Sequence, residues 1–322
     1  MSAKVRHIAD MRNACMSVPP TASPFQRLLP VSGGLAMSCR ARRCLWLSIS
    51  MLVALAISAG SLAASARRWA RAMKAGRAAY EQADFATAEK QFKVAFTAAT
   101  KFELGDPRAV RTLNAIGNLY RAEDKTDAAE AFLSKARAMA EAWLGAESPE
   151  LATALNNLGG LYTSEQRFAK AEEVLRPALA MREKLLGPEH PEVAATLCNL
   201  GEALLMNPYR PRYAEAAPLL KRSLEIDQKT LGPEHPALAA TQDDLAVLYT
   251  AEGRYAEAEP LERSALEIFE HTLRPDHPYV AAALQHYATL LRKLHRQAEA
   301  DTLEARAFTI AAGRSQSKGG DP

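Results

Sequence analysis

Aromatic side chains are scarce, at 7% of the 322 residues, and cysteine is scarcer, with four in the whole chain. Three of those cysteines, Cys15, Cys39 and Cys44, fall in the first 66 residues. Cys198 alone remains beyond them, so the rest of the chain can form no internal disulfide. There it reads as a packed thiol within a helix pattern rather than a reactive one. No glycine-rich phosphate loop, H-E-x-x-H, paired-cysteine metal motif or G-x-S-x-G elbow occurs. The motif-bearing classes of enzyme and zinc protein are therefore not indicated. The expectation is a non-enzyme with no cofactor, no metal site and no catalytic residues. Asp and Glu are read as surface partners of Lys and Arg at i,i+4 spacing.

Charge is nearly balanced at +3, but unevenly placed. Residues 1–66 hold Lys4, Arg6, Arg12, Arg27, Arg40, Arg42 and Arg43 against Asp10 alone, which leaves the remainder at −3. The basic pI belongs to the leader, so nucleic acid is not expected as a partner.

The chain has an abundance of repetition. Leu186-Gly187-Pro188-Glu189-His190-Pro191 returns as Leu231-Gly232-Pro233-Glu234-His235-Pro236, then as Leu273-Arg274-Pro275-Asp276-His277-Pro278, with a fainter copy at Leu144 to Pro149. The spacing is 42 or 45 residues, and a fixed period of this size means stacked supersecondary units. Within the unit from Pro149 to Gly187, Leu151, Leu155, Leu158, Gly159 and Tyr162 recur at three- and four-residue steps, one buried helix face. A polar turn follows, and then a second helix from Phe168 with Ala171, Leu175, Ala178 and Leu179 inside. Gly159 and Ala171 allow close backbone approach, and Gly187 supplies a left-handed helix end. His190, His235 and His277 each precede a proline and so fall at the N-cap, where other copies carry Asp106 and Ser148. Their spacing of a whole repeat sets them apart from a zinc ligand set.

Leu158-Gly159, Tyr162, Ala171 and Leu175 resemble the tetratricopeptide signature L-G-x2-Y…A-x3-F. The same pattern begins at Ile116, Leu200, Leu245 and Tyr287, with Glu262 and Glu304 replacing the large apolar residue in the last two copies; an earlier copy carries Gly76, Tyr80, Ala88 and Phe92. The unit exceeds the usual 34 residues by eight, roughly two helical turns or about 12 Å, most of them in the second helix. With its L-G-P-E-H-P joints it is similar to the kinesin-light-chain type of repeat, widespread in bacterial chains. The resemblance implies an all-α, right-handed superhelical solenoid of stacked antiparallel hairpins. Six hairpins are expected over residues 67–312, with a disordered tail at 313–322.

That resemblance also implies a non-catalytic scaffold whose concave groove takes a peptide or helix of another protein. In similar proteins, asparagines on the first helices hold the peptide, which here points to Asn157 and Asn199. Asp244, His286, Asn118, Arg111 and Lys74 lie on the same stripe. The alternatives are a structural module of an envelope assembly that uses its rims or ends, a groove-based small-molecule sensor, or an enzyme with a concealed site. Oligomeric state is open. Asn207 to Arg212 lengthens one mid-hairpin turn by three residues, read as a tolerated surface insertion or a partner contact.

Residues 1–36 show no period and are read as disordered, or as preceding a true start at Met37. Residues 37–66 have a basic start, an apolar stretch and the small-residue end Ala64-Ser65-Ala66, the layout of a secretory signal peptide. Cleavage there would release a periplasmic protein. Leu45 to Ala64 is also 20 residues long, enough for an inner-membrane anchor. Sequencing the N-terminus of the mature protein separates the two: Arg67 first means cleavage.

Overall fold

The computed structural model describes residues 39–103 and 105–318, with side chains over 60–103 and 105–313. The expected disordered start at 1–36 lies outside these residues. So do most side chains of the expected leader and anchor. Among the described residues no helix is long and apolar enough to cross a membrane. The chain divides into two units, Met1–Ser58 and Ala59–Pro322. In the first, the described backbone is helical from Cys39 onward.

Among the described residues the second unit is built of helices joined by short turns, beginning with the rest of the helix that starts at Cys39. The twelve helices among the described residues are α1 (Cys39–Glu81), α2 (Phe85–Ala99), α3 (Pro107–Ala122), α4 (Thr126–Trp143), α5 (Pro149–Ser164), α6 (Phe168–Leu186), α7 (Pro191–Leu205), α8 (Tyr213–Thr230), α9 (Pro236–Ala251), α10 (Tyr255–Thr272), α11 (Pro278–Lys293) and α12 (Gln297–Lys318). Consecutive helices pair as hairpins, each hairpin packs on the next, and the first helices α3, α5, α7, α9 and α11 also touch in succession. This is a helical-repeat solenoid with an inner layer of first helices. The last helix continues to Lys318, beyond the expected end at 312.

The sequence grammar explains the packing. A Cβ built on Gly159 would lie 2.3 Å from Leu175 Cγ, so only glycine admits that leucine between α5 and α6. Gly117 stands in the same relation to Leu133, and Gly201 to Leu220. Tyr120 and Tyr162, which recur at one repeat position, and Tyr287 tie neighbouring hairpins together through bonds to Glu89, Glu130 and Glu259. The Tyr162 hydroxyl donates to Glu130 at 2.9 Å, and Arg167 reaches the same carboxylate at 2.6 Å while lying 4.3 Å from the Tyr162 ring centre.

The joints behave as N-caps. His190, His235 and His277 each accept a backbone N–H through Nδ1, at 3.1, 3.1 and 3.2 Å, as Asp106 and Ser148 do through oxygen. Replacing His190 with Ala should therefore cost about 1 kcal/mol, whereas His190→Asp should hold or raise stability; thermal melts of both variants check this. Gly187 has the positive φ (89°) expected of a helix end, but its ψ of 157° extends the chain rather than closing a left-handed turn. The extended exit leads into a short turn through Pro188 and Glu189, and Pro191 then opens the next helix behind its N-cap His190.

The acidic residues do not all lie outside. Pairs such as Arg137–Glu141 do follow i,i+4 spacing on the surface. Glu150, Asp227, Asp243 and Glu262, however, are buried. Glu150 and Asp227 have cross-repeat or local partners, Arg111 and Thr241, that periodicity alone does not reveal.

Candidate functional site

The inner faces of the first helices carry a ladder of polar side chains. Its rungs join one residue of each hairpin to the residue one repeat on. Asn199 Nδ2 donates to Asn156 Oδ1 at 3.1 Å. The Cys198 thiol donates to Asp244 Oδ2 at 3.2 Å. His286 Nδ1 meets Asp243 Oδ2 at 2.9 Å. The equivalent first rung would join Asn114 to Asn157, and there the pattern breaks. Asn114 gives its amide N–H to the Glu150 carbonyl at 3.3 Å, while its Oδ1 has no partner. Asn157 Nδ2 is likewise buried and without a partner.

This open rung lines a cavity of about 480 Å³, together with Arg77, Tyr80, Arg111, Asn118, Thr153 and Glu192 among others. Asn118 Oδ1 is a further buried acceptor without a donor. Asn114 is only 5% exposed, so its orphan oxygen has lost water without gaining a bond. Arg111 is held by Glu150 at 2.6 Å, which neutralises it. Lys74 and Arg77 are exposed, and neither forms an ion pair among the described residues.

Of the seven residues expected on the stripe, Arg111, Asn118 and Asn157 come together at this cavity. Asn199, Asp244 and His286 are engaged in closed rungs instead. Their rung partners Asn114, Asn156, Cys198 and Asp243 were not singled out as site residues, although the repeat register places all four at one position. The adjacent pairs Asn156-Asn157 and Asp243-Asp244 were the available signal.

Further along, the groove turns acidic. Asp243 is 8% exposed and Oδ1 lacks a donor. Beneath it Glu262 is 0% exposed, with neither oxygen partnered. Burial, then the charge of Asp243, pushes the Glu262 pKa up to about 10. Glu202 and Asp244 keep access to solvent, yet desolvation by the groove walls raises both, with neighbouring carboxylates adding to the shift in each. Burial, followed by the charge of Asp244, also raises the Cys198 thiol, so it is an inert hydrogen-bond donor here. His286 is shifted upward: burial opposes the change, but the charge and bond of Asp243 outweigh it. Among the described residues no group of three or more His, Cys, Asp or Glu could hold a metal ion.

Between the two ends lies Arg121. A Cβ on Gly160 would be 2.9 Å from its Nη1, so the side chain crosses α5 where no side chain obstructs it. Arg121 lowers the Glu202 pKa through its field but makes no ion pair among the described residues. The row of hairpins curls far enough for Arg274, in the joint before α11, to donate to the Gln82 carbonyl in the first hairpin's turn at 3.2 Å.

A solenoid of helix hairpins with a polar inner ladder defines a repeat protein of the interaction-scaffold class. The chain belongs to the tetratricopeptide repeat family, whose model matches residues 108–184, 150–207 and 211–271. No curated protein matches it. Among solved structures it is similar to a Podosopora anserina protein described as a kinesin light chain with nearly identical TPR-like repeats, at 27% identity, covering 66% of this chain and 100% of that one, with a TM-score of 0.49. It is similar to BtubC (BKLC) from P. vanneervenii, at 20% identity over 80% of this chain and 94% of that one, TM-score 0.50. A Rap protein complexed with Competence and Sporulation Factor matches at 14% identity over 77% and 76% of the two chains, TM-score 0.58. The last two likenesses speak to the fold alone.

Proposed function

We propose that this protein is a non-catalytic scaffold whose inner groove holds an extended segment of another protein. The observation that carries this reading is the open first rung. Asn157 Nδ2 offers an unused donor and Asn114 Oδ1 an unused acceptor beside one cavity. A peptide group presents the complementary pair, one C=O and one N–H, whatever its side chain. Filling the rung would recover the cost of desolvating two polar atoms, about 1–3 kcal/mol each. The Rap protein similar in fold was crystallised with Competence and Sporulation Factor, which is consistent with a ligand-holding groove on such a scaffold.

Asn157→Ala removes the donor without touching the apolar core. Partners cross-linked to the full chain in its native cell should be recovered at least about tenfold less with this variant, while its melting temperature stays within a few degrees of wild type. Undiminished recovery would rule the groove out.

One observation favours a rim contact instead. Tyr209, at the tip of the lengthened turn, is 95% exposed. The loop is held by Asn207 Oδ1, which accepts from the N–H groups of Tyr209 and Arg210. If partner recovery survives Asn157→Ala but fails with Tyr209→Ala, the rim is the docking surface.

A further inference from the structure

Three polar atoms at the open rung are unmet, and a backbone peptide group meets only two of them. Asn114 and Asn118 stand four residues apart on α3, so about 6 Å of helical rise separates them on one face. Each has a buried Oδ1 that takes no bond. The orientation of Asn114 is fixed, because its amide N–H is already given to the Glu150 carbonyl at 3.3 Å. On α5, which packs beside α3, Asn157 has the opposite polarity unmet, a buried Nδ2 with no acceptor. All three residues line the same cavity. The site therefore offers two acceptors and one donor.

Charge narrows the choice of group that fits. Arg111 is already held by Glu150, while Arg77, which also lines the cavity, is exposed and forms no ion pair among the described residues. An ammonium or guanidinium would be repelled by Arg77 and would leave Asn157 without an acceptor. A carboxylate would satisfy Asn157 but carries no hydrogen for Asn114 or Asn118. A hydroxyl has one hydrogen for two acceptors. A primary amide has two N–H groups and one carbonyl. Its two N–H bonds diverge and reach acceptors about 5 Å apart at ordinary bond length, close to the rise between side chains one helical turn apart.

We propose that the segment held in the groove inserts an asparagine or glutamine side chain into this cavity. Its NH2 group donates to Asn114 Oδ1 and Asn118 Oδ1, and its carbonyl accepts from Asn157 Nδ2. This rests on the groove reading above and adds the side chain that selects the occupant. A site built to bond a polar group discriminates strongly, because the wrong side chain leaves the site's own buried atoms unpaired.

The test uses the full chain and a random dodecapeptide display library. Peptides captured by the wild type should share Asn or Gln at one position. In a synthetic copy of one such peptide, changing that residue to Glu, Lys or Leu should weaken binding at least about tenfold, a readout that needs no protein variant. Asn157→Asp keeps the shape of the side chain and turns its donor into an acceptor, so the shared residue should change to Lys or Arg. An Asn or Gln preference unaltered by Asn157→Asp would overturn this inference. So would peptides that lose affinity on Asn157→Ala but share no Asn or Gln, or that depend on a carboxylate; these would leave the groove reading standing. A library that yields no peptide sensitive to Asn157→Ala would overturn both.

Discussion

Raising the pH from about 5 to about 8 is expected to destabilise this protein, with a slope of up to about 1.4 kcal/mol per unit from Glu262 alone. Glu262 stands where Leu133, Leu175 and Leu220 stand in earlier hairpins, at the seam between the two helices of its own. It is fully buried and no neighbour donates to it. Ionisation there would leave a charge unsolvated, so the folded protein keeps the acid form, with its pKa at about 10 against an ordinary 4.5. The acid proton is also useful, since Asp243 alongside has an oxygen without a donor. The unfolded chain releases the proton near 4.5, whereas the folded one retains it to about 10. Between those values the native state binds more protons than the unfolded state, and stability falls as pH rises. His286, whose pKa is also raised, acts in the same direction. The paired carboxylates Glu130 and Glu259 are lowered, chiefly by bonds from Arg167 and Arg296, and act oppositely at acid pH below their ordinary range. Urea denaturation across this window is the measurement. Glu262→Gln keeps a donor for Asp243 and carries no charge at any pH, so it should flatten most of the slope. An unchanged slope in that variant would mean that Glu262 is not the source.

The second large effect is expected at Gly159. A valine there would drive branched carbon into Leu175, whose Cγ already lies 2.3 Å from the position of a Cβ. Overpacking of this kind costs typically 1–3 kcal/mol and occasionally more; the tight seam argues for about 3 kcal/mol. Gly159→Ala should cost less, because alanine returns about 1 kcal/mol of helix propensity. Coupling to Leu175→Ala tests the cause. The leucine-to-alanine change alone opens a cavity that costs about 2–5 kcal/mol, but in the double variant the valine partly fills it. The combined loss should therefore fall short of the sum by at least about 0.5 kcal/mol, read from denaturant midpoints. Strict additivity would show that the two side chains do not compete for one space. The protein's own repeats point the same way. Where the glycine becomes Ala246 or Ala288, the facing leucine has become Glu262 or Glu304.

Those two glutamates show how far the sequence could be read. Both occupy one register position, and their fates differ. Glu304 is ion-paired with Arg292, which extends from the end of α11. The equivalent of Arg292 one hairpin earlier is Thr250, whose hydroxyl is buried without a partner, so Glu262 has no cation to meet. A period identifies the position but not which neighbour reaches across it. The same holds for the ladder. Asn157 and Asn199 look equivalent in the repeat, yet Asn199 is bonded to Asn156 while Asn157 has an unused donor.

The sequence by itself determined the repeating unit, the helix boundaries within a few residues, the capping role of His190, His235 and His277, and the glycine-against-leucine seam. Each of these follows from interactions within one hairpin or its joint, where spacing along the chain fixes proximity in space. Only the tertiary structure decided which rung stays open, where carboxylates gather without cations, and that Arg274 comes within reach of Gln82. Those depend on contacts between hairpins and on small rotations that accumulate from one to the next. No local period encodes that sum.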